Sequence, residues 1–307
     1  MSGWAAEHVP DLTGRTAVVT GANSGLGREV AAELTQHGAH VVLACRNEQR
    51  GARALGGMPG SAEVMLLDLA DLASVRDFAR TYSHAHASLD LLVCNAGVMA
   101  TPLRRTSDGF ELQFGTNHLG HFALAGLLFP QLLAGGSARV VVVSSNVHRI
   151  GAIFRRDLGS RRRYHKWVAY GRSKFANLLF MLELQRRATA TGTDLIAVGA
   201  HPGWAETNLQ STGPRMAGSA LGERLATVGN RVLSQPADVG ALPILRAATD
   251  PDVGPGDYFG PGGFAGLHGL PERGAFSRRA CDQDRARDLW EESERLTGVT
   301  YDWAVTR

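Results

Sequence analysis

Residues 16–27 read TAVVTGANSGLG, and this stretch decides the fold. Its first five residues are apolar or β-branched, which predicts a buried strand. The strand runs into glycines at positions 21, 25 and 27, and a helical pattern follows to His37. Glycines at such a turn let the backbone approach a pyrophosphate, whose charge the helix N-terminus favours. The spacing G-x-x-x-G-x-G is also compatible with an ordinary glycine turn, so the motif alone leaves both interpretations open.

The alternation of strand and helix continues outward from this turn. Several further strand-like runs are continuously apolar, as expected for strands that helices cover on both faces. The predicted strands are Thr16–Thr20, His40–Ala44, Glu63–Leu67, Leu89–Cys94, Arg139–Ser144, Leu195–Gly199 and Tyr258-Phe259. The predicted helices are Gly27–His37, Ala73–Tyr82, Phe110–Leu133 and Ser173–Ala188. This order predicts an α/β fold with a doubly wound parallel sheet and right-handed crossovers.

The composition is that of a globular chain of 307 residues, with 44% hydrophobic and 20% charged residues, which excludes extensive disorder. Three cysteines without a CxxC pair argue against a disulfide framework and a zinc site, and favour a reducing cytoplasm. Residues 1–14 lack the apolar run of a signal or anchor. Leu112–Ala138 has no charged side chain, but its Asn, His, Gln and Pro residues predict a buried helix rather than a membrane span.

Charge and histidine patterns narrow the functions further. The net charge is +3, and the segment from Arg149 to Lys166 alone carries a local +6. Such a run is typical of a solvated surface, and a patch for an acidic substrate or partner is the alternative. Because the remainder is net acidic, we expect no nucleic-acid role. We also expect no metal site, since the histidines considered lack metal-ligand spacing with carboxylate or cysteine partners. They are His84, His86, His118, His121, His148, His165 and His201.

Arg46 follows the second predicted strand, 19 residues after Gly27. A dinucleotide site for NAD usually has Asp or Glu at this point to hold the ribose 2′-OH, whereas Arg suits a 2′-phosphate. The position therefore favours NADP(H). An exposed loop arginine without a ligand is the alternative.

Tyr170 and Lys174 are four residues apart in a helical pattern, hence on one helix face. A cation near a phenol favours the phenolate and lowers its pKa from about 10 toward working pH, as proton transfer requires. Ser144-Ser145 closes the fifth strand, at the carboxyl edge where doubly wound folds bind ligands. A Tyr-x-x-x-Lys pair alone is too common to identify a site.

Taken together, these motifs resemble the short-chain dehydrogenase/reductase family over roughly residues 13–262. The resemblance implies one Rossmann-type domain with a seven-stranded parallel sheet. It implies that Tyr170 is the acid/base, that Lys174 holds the nicotinamide ribose, that Ser145 orients the carbonyl and that Asn117 fixes a relay water. Ser145 is preferred to Ser144 because the second serine of such a pair usually carries this role in the family. The implied NADP(H)-binding residues are Gly21, Asn23, Ser24, Gly25, Leu26, Gly27, Arg46, Asp68, Leu69, Asn95, Ala96, Gly97, Tyr170, Lys174, Pro202, Gly203 and Thr207.

The distance between Ser145 and Tyr170, 25 residues, is longer than is usual in the family. This insertion, with the sequences ACRN, NHLGH and HPG, resembles the branch of retinol dehydrogenases and protochlorophyllide reductase, whose substrates are often bulky and apolar. We therefore expect substrate loops at 146–168 and 203–236, and a C-terminal extension at 263–307. Ile150, Ile153, Phe154 and Trp167 are the candidate substrate contacts in the first loop, and Arg161, Arg162 and Arg163 are expected to face water.

The sequence thus predicts a cytoplasmic, single-domain NADP(H)-dependent carbonyl reductase or alcohol dehydrogenase. Its small-molecule partner would be a bulky apolar ketone or aldehyde, for example of polyketide type. The alternative is a non-catalytic NADP-binding regulator on the same fold. The resemblance also implies a homodimer or homotetramer formed through the helices that bear Asn117 and Tyr170.

Overall fold

Parallel strands form the centre of the molecule in the computed structural model, which describes residues 3–151, 164–204 and 235–303. The strands in these ranges are β1 Thr16–Thr20, β2 His40–Cys45, β3 Ala62–Leu66, β4 Leu91–Cys94, β5 Arg139–Val143, β6 Ile196–Ala200, β7 Tyr258–Pro261 and β8 Pro271–Arg273. They form one sheet in the order β3-β2-β1-β4-β5-β6-β7-β8. The order reverses direction between β1 and β4, which is where doubly wound sheets open a ligand crevice.

The seven parallel strands expected from the sequence are confirmed, and an eighth joins them at the edge. In β8, Arg273 pairs with Phe259 in antiparallel register. After β7 the chain turns back, and the three residues of β8, which begins at Pro271, pair with β7. So short a run carries no periodicity that a sequence pattern could reveal, and its proline is tolerated because the strand lies at the edge.

Helices cover both faces of the sheet. Within the described ranges they are α1 Gly25–Gln36, α2 Glu48–Leu55, α3 Leu72–Ala85, α4 Leu112–Phe114, α5 Gly120–Leu127, α6 Phe129–Ala134, α7 Lys166–Thr191, α8 Ala237–Thr249 and α9 Gln283–Thr297. One core contains side chains of α3, α5, α7 and α9, and the other contains those of α1 and α8. Neighbouring strand residues alternate between the cores, as Val18 and Val19 do, because successive side chains point to opposite faces.

The predicted helix Phe110–Leu133 is broken into pieces in the structure. A π-helical turn, Gly115–Leu119, separates α4 from α5, and Pro130 lies in the first turn of α6. Gly120 packs so closely on Leu69 that an added Cβ would lie 2.5 Å from the Leu69 carbonyl oxygen. The prediction of a buried segment is confirmed. In the described parts of the chain, no helix is both long enough and apolar enough to cross a membrane.

Candidate active site

A cavity of about 720 Å³ opens at the carboxyl ends of the central parallel strands. Most of the predicted site residues line it. They are Gly21, Asn23, Ser24, Gly25, Leu26, Gly27, Arg46, Asp68, Leu69, Asn95, Ala96, Gly97, Ser145, Tyr170, Lys174, Pro202 and Gly203. Thr207 lies outside the described residues, and Asn117 stands behind the cavity wall.

The turn at residues 21–27, where β1 leads into α1, leaves its backbone open to a ligand, and we call it the glycine cradle. Gly21 and Gly25 have φ angles of +70° and +54°, which side chains rarely adopt. A Cβ added to Gly27 would lie 2.6 Å from both the Gly21 carbonyl oxygen and the Asn95 Nδ2. Ser24 precedes α1 and forms no side-chain capping hydrogen bond, so its hydroxyl leaves the first N–H groups of the helix to another acceptor. The turn therefore fits a pyrophosphate.

Thr20 fixes this turn against the end of β4. Its hydroxyl oxygen accepts hydrogen bonds from the backbone N–H groups of Asn95 and Ala96, at 2.9 Å each. In return, the Asn95 amide donates to the Thr20 carbonyl at 2.9 Å. These bonds hold residues 95–97 along the cavity, where the resemblance places the cofactor.

Arg46 lies at the end of the cavity formed by β2 and β3, opposite Asp68 and Leu69. A second guanidinium, that of Arg50, also lines this end and was missed by the sequence analysis. Asn47 begins α2 by accepting a hydrogen bond from the Arg50 N–H at 2.9 Å, which places Arg50 on the first turn beside Arg46. The Asn cap followed by Arg three residues later could have revealed it.

Ser145 and Tyr170 both line the other end of the cavity, and the Ser145 hydroxyl is near enough to the phenol to lower its pKa. Ser144 is turned away, because its hydroxyl donates to the Lys174 carbonyl at 2.9 Å. The geometry thus favours Ser145 over Ser144, as the sequence analysis did. Ser144 and Ser145 are the two residues that directly follow β5, which ends at Val143.

The pKa of Tyr170 differs from the expectation. Burial raises the pKa of this phenol to about 12, and the Ser145 hydrogen bond only partly offsets that effect. The Lys174 ammonium lies 5.9 Å from the centre of the Tyr170 ring and donates to the Val143 carbonyl at 3.0 Å. Burial lowers the pKa of Lys174 to about 8. Desolvation of the phenolate is therefore the dominant effect on Tyr170, and it favours the protonated phenol.

Asn117 is fully buried in the π-helical turn and clamps two parts of the site together. Its Oδ1 accepts from the Val98 N–H at 2.8 Å, while its Nδ2 donates to the Val98 carbonyl and the Ser173 hydroxyl, both at 2.9 Å. Its own carbonyl lies 3.0 Å from His121 Nδ1. The side chain thus joins the loop after β4 to α7, and its role toward a relay water stays a prediction.

The cavity also has an apolar wall beside Ser145 and Tyr170. Its members are Val98, Met99, Ile150, Trp167, Trp204 and Leu267. Ile150 and Trp167 were expected there, whereas Trp204 and Leu267 were not. Gly203, at φ +65°, lets the Trp204 N–H donate to the Leu267 carbonyl at 2.9 Å, so a residue beyond 262 reaches the cavity. Ile153, Phe154 and the three arginines 161–163 lie outside the described residues.

Comparison with known proteins identifies this arrangement. The family model of the short chain dehydrogenases matches residues 15–216. The chain belongs to the short-chain dehydrogenase family. Retinol dehydrogenase 14 of Mus musculus is 39% identical over 94% of this chain and 87% of its own length. Polyprenol dehydrogenase of the same species is 39% identical over 95% of this chain and 86% of its own length.

Solved structures agree with this assignment. An uncharacterized protein from Mycobacterium paratuberculosis superposes with a TM-score of 0.83 at 44% identity, covering 98% of this chain and all of that one. A structure assigned to an NAD(P)-dependent gluconate 5-dehydrogenase from Beutenbergia cavernae has bound NADP at low occupancy. Its TM-score is 0.57 at 26% identity, over 78% of this chain and 91% of that one. This short-chain dehydrogenase thus lies in the retinol dehydrogenase-like branch, a group of oxidoreductases that bind a nicotinamide cofactor.

Proposed function

We propose that this short-chain dehydrogenase is an NADP(H)-dependent carbonyl reductase or alcohol dehydrogenase for bulky apolar ketones or aldehydes. The observation that carries the proposal is the group formed by the Ser145 hydroxyl, the Tyr170 phenol and the Lys174 ammonium on one cavity wall, next to the glycine cradle. A regulator that only binds the cofactor would not need these three groups together.

In the proposed reduction, Ser145 and Tyr170 have different roles toward the carbonyl oxygen. When bound, the nicotinamide supplies the hydride for the carbonyl carbon. Ser145 holds the carbonyl oxygen by donating a hydrogen bond, and Tyr170 gives that oxygen its proton. A phenol whose pKa is raised to about 12 is fully protonated at neutral pH, which suits a proton donor. With NADPH as the cofactor, reduction is the direction that we propose.

The preference for NADP(H) rests on two guanidinium groups, those of Arg46 and Arg50, at the end of the cavity beside β2. A 2′-phosphate would accept charge-assisted hydrogen bonds from both. Asp68, the carboxylate on this wall, accepts a bond from the Ala70 N–H at 2.9 Å, which keeps one of its oxygens occupied.

The substrate class follows from the apolar wall. Two indoles and four aliphatic or thioether side chains line the space beside Tyr170, and burying such surface on a ligand yields roughly 25 cal/mol per Å². A bulky apolar carbonyl compound, such as a polyketide ketone, uses this wall, whereas a small polar one leaves it in contact with water. Retinol and polyprenol, named for two relatives, are of the same apolar kind.

The test is consumption of NADPH absorbance with a panel of aryl ketones and aldehydes of increasing size. The proposal expects turnover that rises with apolar size and is lost in Tyr170→Phe. Tight NADPH binding without turnover of any compound would instead favour the regulator.

The proposal extends to the cellular location and the oligomeric state of the protein. Three free cysteines support a reducing, cytoplasmic setting. A homodimer or homotetramer through the helices of Asn117 and Tyr170 must avoid the surface that α9 covers, because α9 packs on α7 and α5 and buries Leu289 and Trp290 there. We propose that such an assembly uses the remaining surface of α7.

A further inference from the structure

Two imidazoles and one carboxylate meet at the edge of the sheet opposite the cavity. His40 begins β2, Glu63 lies near the start of β3, and His86 follows the end of α3. Val42 is paired with Glu63 in register, and alternate residues of a strand share a face. His40 and Glu63 therefore project from the same face, which is the face that the end of α3 reaches.

The side chains of this His40–Glu63–His86 cluster converge on one point. His40 Nε2 lies 3.1 Å from Glu63 Oε1, and His86 Nε2 lies 2.7 Å from the same oxygen. All three candidate ligand atoms lie within 4.8 Å of one another. Across the described ranges of the chain, no other group of three histidine, cysteine or acidic side chains meets this criterion.

These separations are close to those of a tetrahedral zinc site. With Zn–N and Zn–O bonds of about 2.0–2.2 Å, neighbouring ligand atoms are roughly 3.3–3.5 Å apart. To reach this separation, the His40–Glu63 distance of 3.1 Å must grow by about 0.2–0.4 Å and the His86–Glu63 distance of 2.7 Å by about 0.6–0.8 Å, through side-chain rotation on ion binding. The side chains of His40, Glu63 and His86 are 31%, 38% and 18% exposed, so an ion can enter and a water can complete the shell.

Neighbouring groups orient both rings. His40 Nδ1 lies 2.7 Å from the Ser61 hydroxyl oxygen, and in the tautomer that donates to Ser61 the Nε2 atom is free to bind a metal. The ring of Tyr82 stacks on His86 at 4.6 Å, and its hydroxyl is anchored by donating to the Ser88 carbonyl at 2.9 Å. For His40, Ser61 is thus the hydrogen-bond partner of the second nitrogen that a metal-binding histidine typically has, whereas His86 is positioned by ring stacking.

We propose that His40, Glu63 and His86 bind one divalent transition-metal ion, with Zn²⁺ as the best fit and water as the fourth ligand. Two neutral imidazoles and one carboxylate are a donor set that zinc accepts. The ion would join β2, β3 and α3 at the far edge of the sheet from Tyr170, so its role is to stabilise the fold and not to act in hydride transfer. The alternative is that His40 and His86 only form hydrogen bonds with Glu63 and that the three side chains bind no metal ion.

The first experiment titrates the full-length chain, purified without an affinity tag and freed of metal, with Co²⁺ alone and then with Zn²⁺. The proposal expects one equivalent of Co²⁺ per chain with the intense visible absorption of four-coordinate cobalt, which Zn²⁺ then abolishes. It also expects the melting temperature to rise with Zn²⁺ concentration, since a ligand that binds only the folded state stabilises it.

Variants then locate the site. His40→Asn and His86→Asn should each abolish the cobalt spectrum, and Glu63→Gln should do so while still able to hydrogen-bond the imidazoles. Ser61→Ala should weaken Zn²⁺ binding by about tenfold or more, as loss of an orienting partner does. His84→Asn is the matched control, because this exposed histidine lies in the last turn of α3, two residues before His86, and outside the cluster.

Several results would overturn the proposal. Absence of saturable Co²⁺ binding to the wild-type chain would leave only the hydrogen bonds to Glu63. Binding that survives in His40→Asn and His86→Asn, or that His84→Asn removes, would place the metal elsewhere. Far-UV circular dichroism of each metal-free variant separates loss of the site from loss of the fold. The outcome is independent of turnover, so it leaves the proposed function untouched.

Discussion

Tyr170 is 5% exposed, and its position explains why a phenol rather than a phenolate occupies the site. The Lys174 ammonium is close, and one of its three N–H groups donates to the Val143 carbonyl at the end of β5. The Ser145 hydroxyl is the neighbour that lowers the pKa of the phenol. The proposed proton donor and the group proposed to orient the acceptor oxygen thus line the same end of the cavity.

Replacing Tyr170 with Phe removes the proposed proton donor and leaves the ring in place. We expect kcat to fall by at least ~100-fold, the usual contribution of a general acid, while the dissociation constant of NADPH changes little. Steady-state kinetics and fluorescence titration measure the two quantities. Tyr164→Phe is the matched control, because the Tyr164 hydroxyl donates to the Thr101 carbonyl and does not line the cavity. Half of the wild-type rate in Tyr170→Phe would exclude this role.

A second prediction concerns Arg46 and Arg50 and the preference for NADPH over NADH. Each guanidinium replaced by Ala should lower kcat/KM for NADPH relative to NADH by roughly 10- to 100-fold, since a hydrogen bond to a charged group contributes about 1.5–3 kcal/mol. Arg53→Ala, on the exposed side of α2 and away from the cavity, should leave the ratio unchanged. An unchanged ratio in both test variants would mean that other groups bind the phosphate.

At the scale of elements, the turn between β1 and α1 depends on close backbone contact. Gly21 and Gly27 approach each other so tightly that no side chain fits between them. The interrupted helix α4–α5 serves the same region, because its π-helical turn carries Asn117 to the loop after β4. Such single-turn π segments are often found at functional sites.

Gly27→Ala tests the glycine cradle. The added methyl would lie 2.6 Å from the Gly21 carbonyl oxygen, so the turn must open. We expect a cost of about 1–3 kcal/mol in stability, typical of overpacking, and a weaker affinity for NADPH. Gly56→Ala, where the nearest atom would be 3.7 Å away, should change neither quantity. Urea denaturation and cofactor titration provide the comparison, and wild-type affinity in Gly27→Ala would contradict a close-fitting cradle.

At the scale of the whole molecule, residues beyond 262 are built into the fold. Leu267 reaches the cavity, and α9 covers α7 and α5. Trp290 is the centre of this contact, with ring centroids 5.0 Å from Phe122 and 4.6 Å from Tyr301. The region expected to be an extension therefore closes one of the two cores.

Trp290→Ala should accordingly lower the free energy of unfolding by about 3–5 kcal/mol, as expected for a fully buried tryptophan. Glu291→Ala, at the next, exposed position of α9, should stay within about 0.5 kcal/mol of wild type. Chemical denaturation of both variants decides the matter. A small effect of Trp290→Ala would mean that α9 is only loosely attached.

The cavity and the His40–Glu63–His86 cluster lie at opposite edges of the same sheet. Strand direction explains this separation, because parallel strands gather their carboxyl ends at one edge and their amino ends at the other. Chemistry at the cavity and metal binding at the cluster are therefore separable by mutation.

By itself, the sequence determined the alternation of buried strands and helices, the glycine turn and the chemical groups that follow β2, β5 and β6. These are local properties, since apolar periodicity reports burial and a parallel sheet brings all carboxyl ends to one edge. Ser145 could be placed at this edge for that reason, and Tyr170 and Lys174 on one helix face from their spacing, whereas the meeting of all three was implied by the family resemblance. The sequence did not predict β8 or the break in the helix within residues 110–133, because neither feature produces a periodic pattern of apolar residues.

Only the tertiary structure decided which distant side chains touch. It showed that desolvation raises the pKa of Tyr170, that the Asn117 side chain bonds to Val98 and Ser173, and that Arg50 joins Arg46. His40 and Glu63 are 23 residues apart, as are Glu63 and His86, and this spacing indicates no metal site. Their meeting depends on the register of β2 against β3 and on where α3 ends. Such register is set by packing over the whole sheet, which no local stretch of sequence contains.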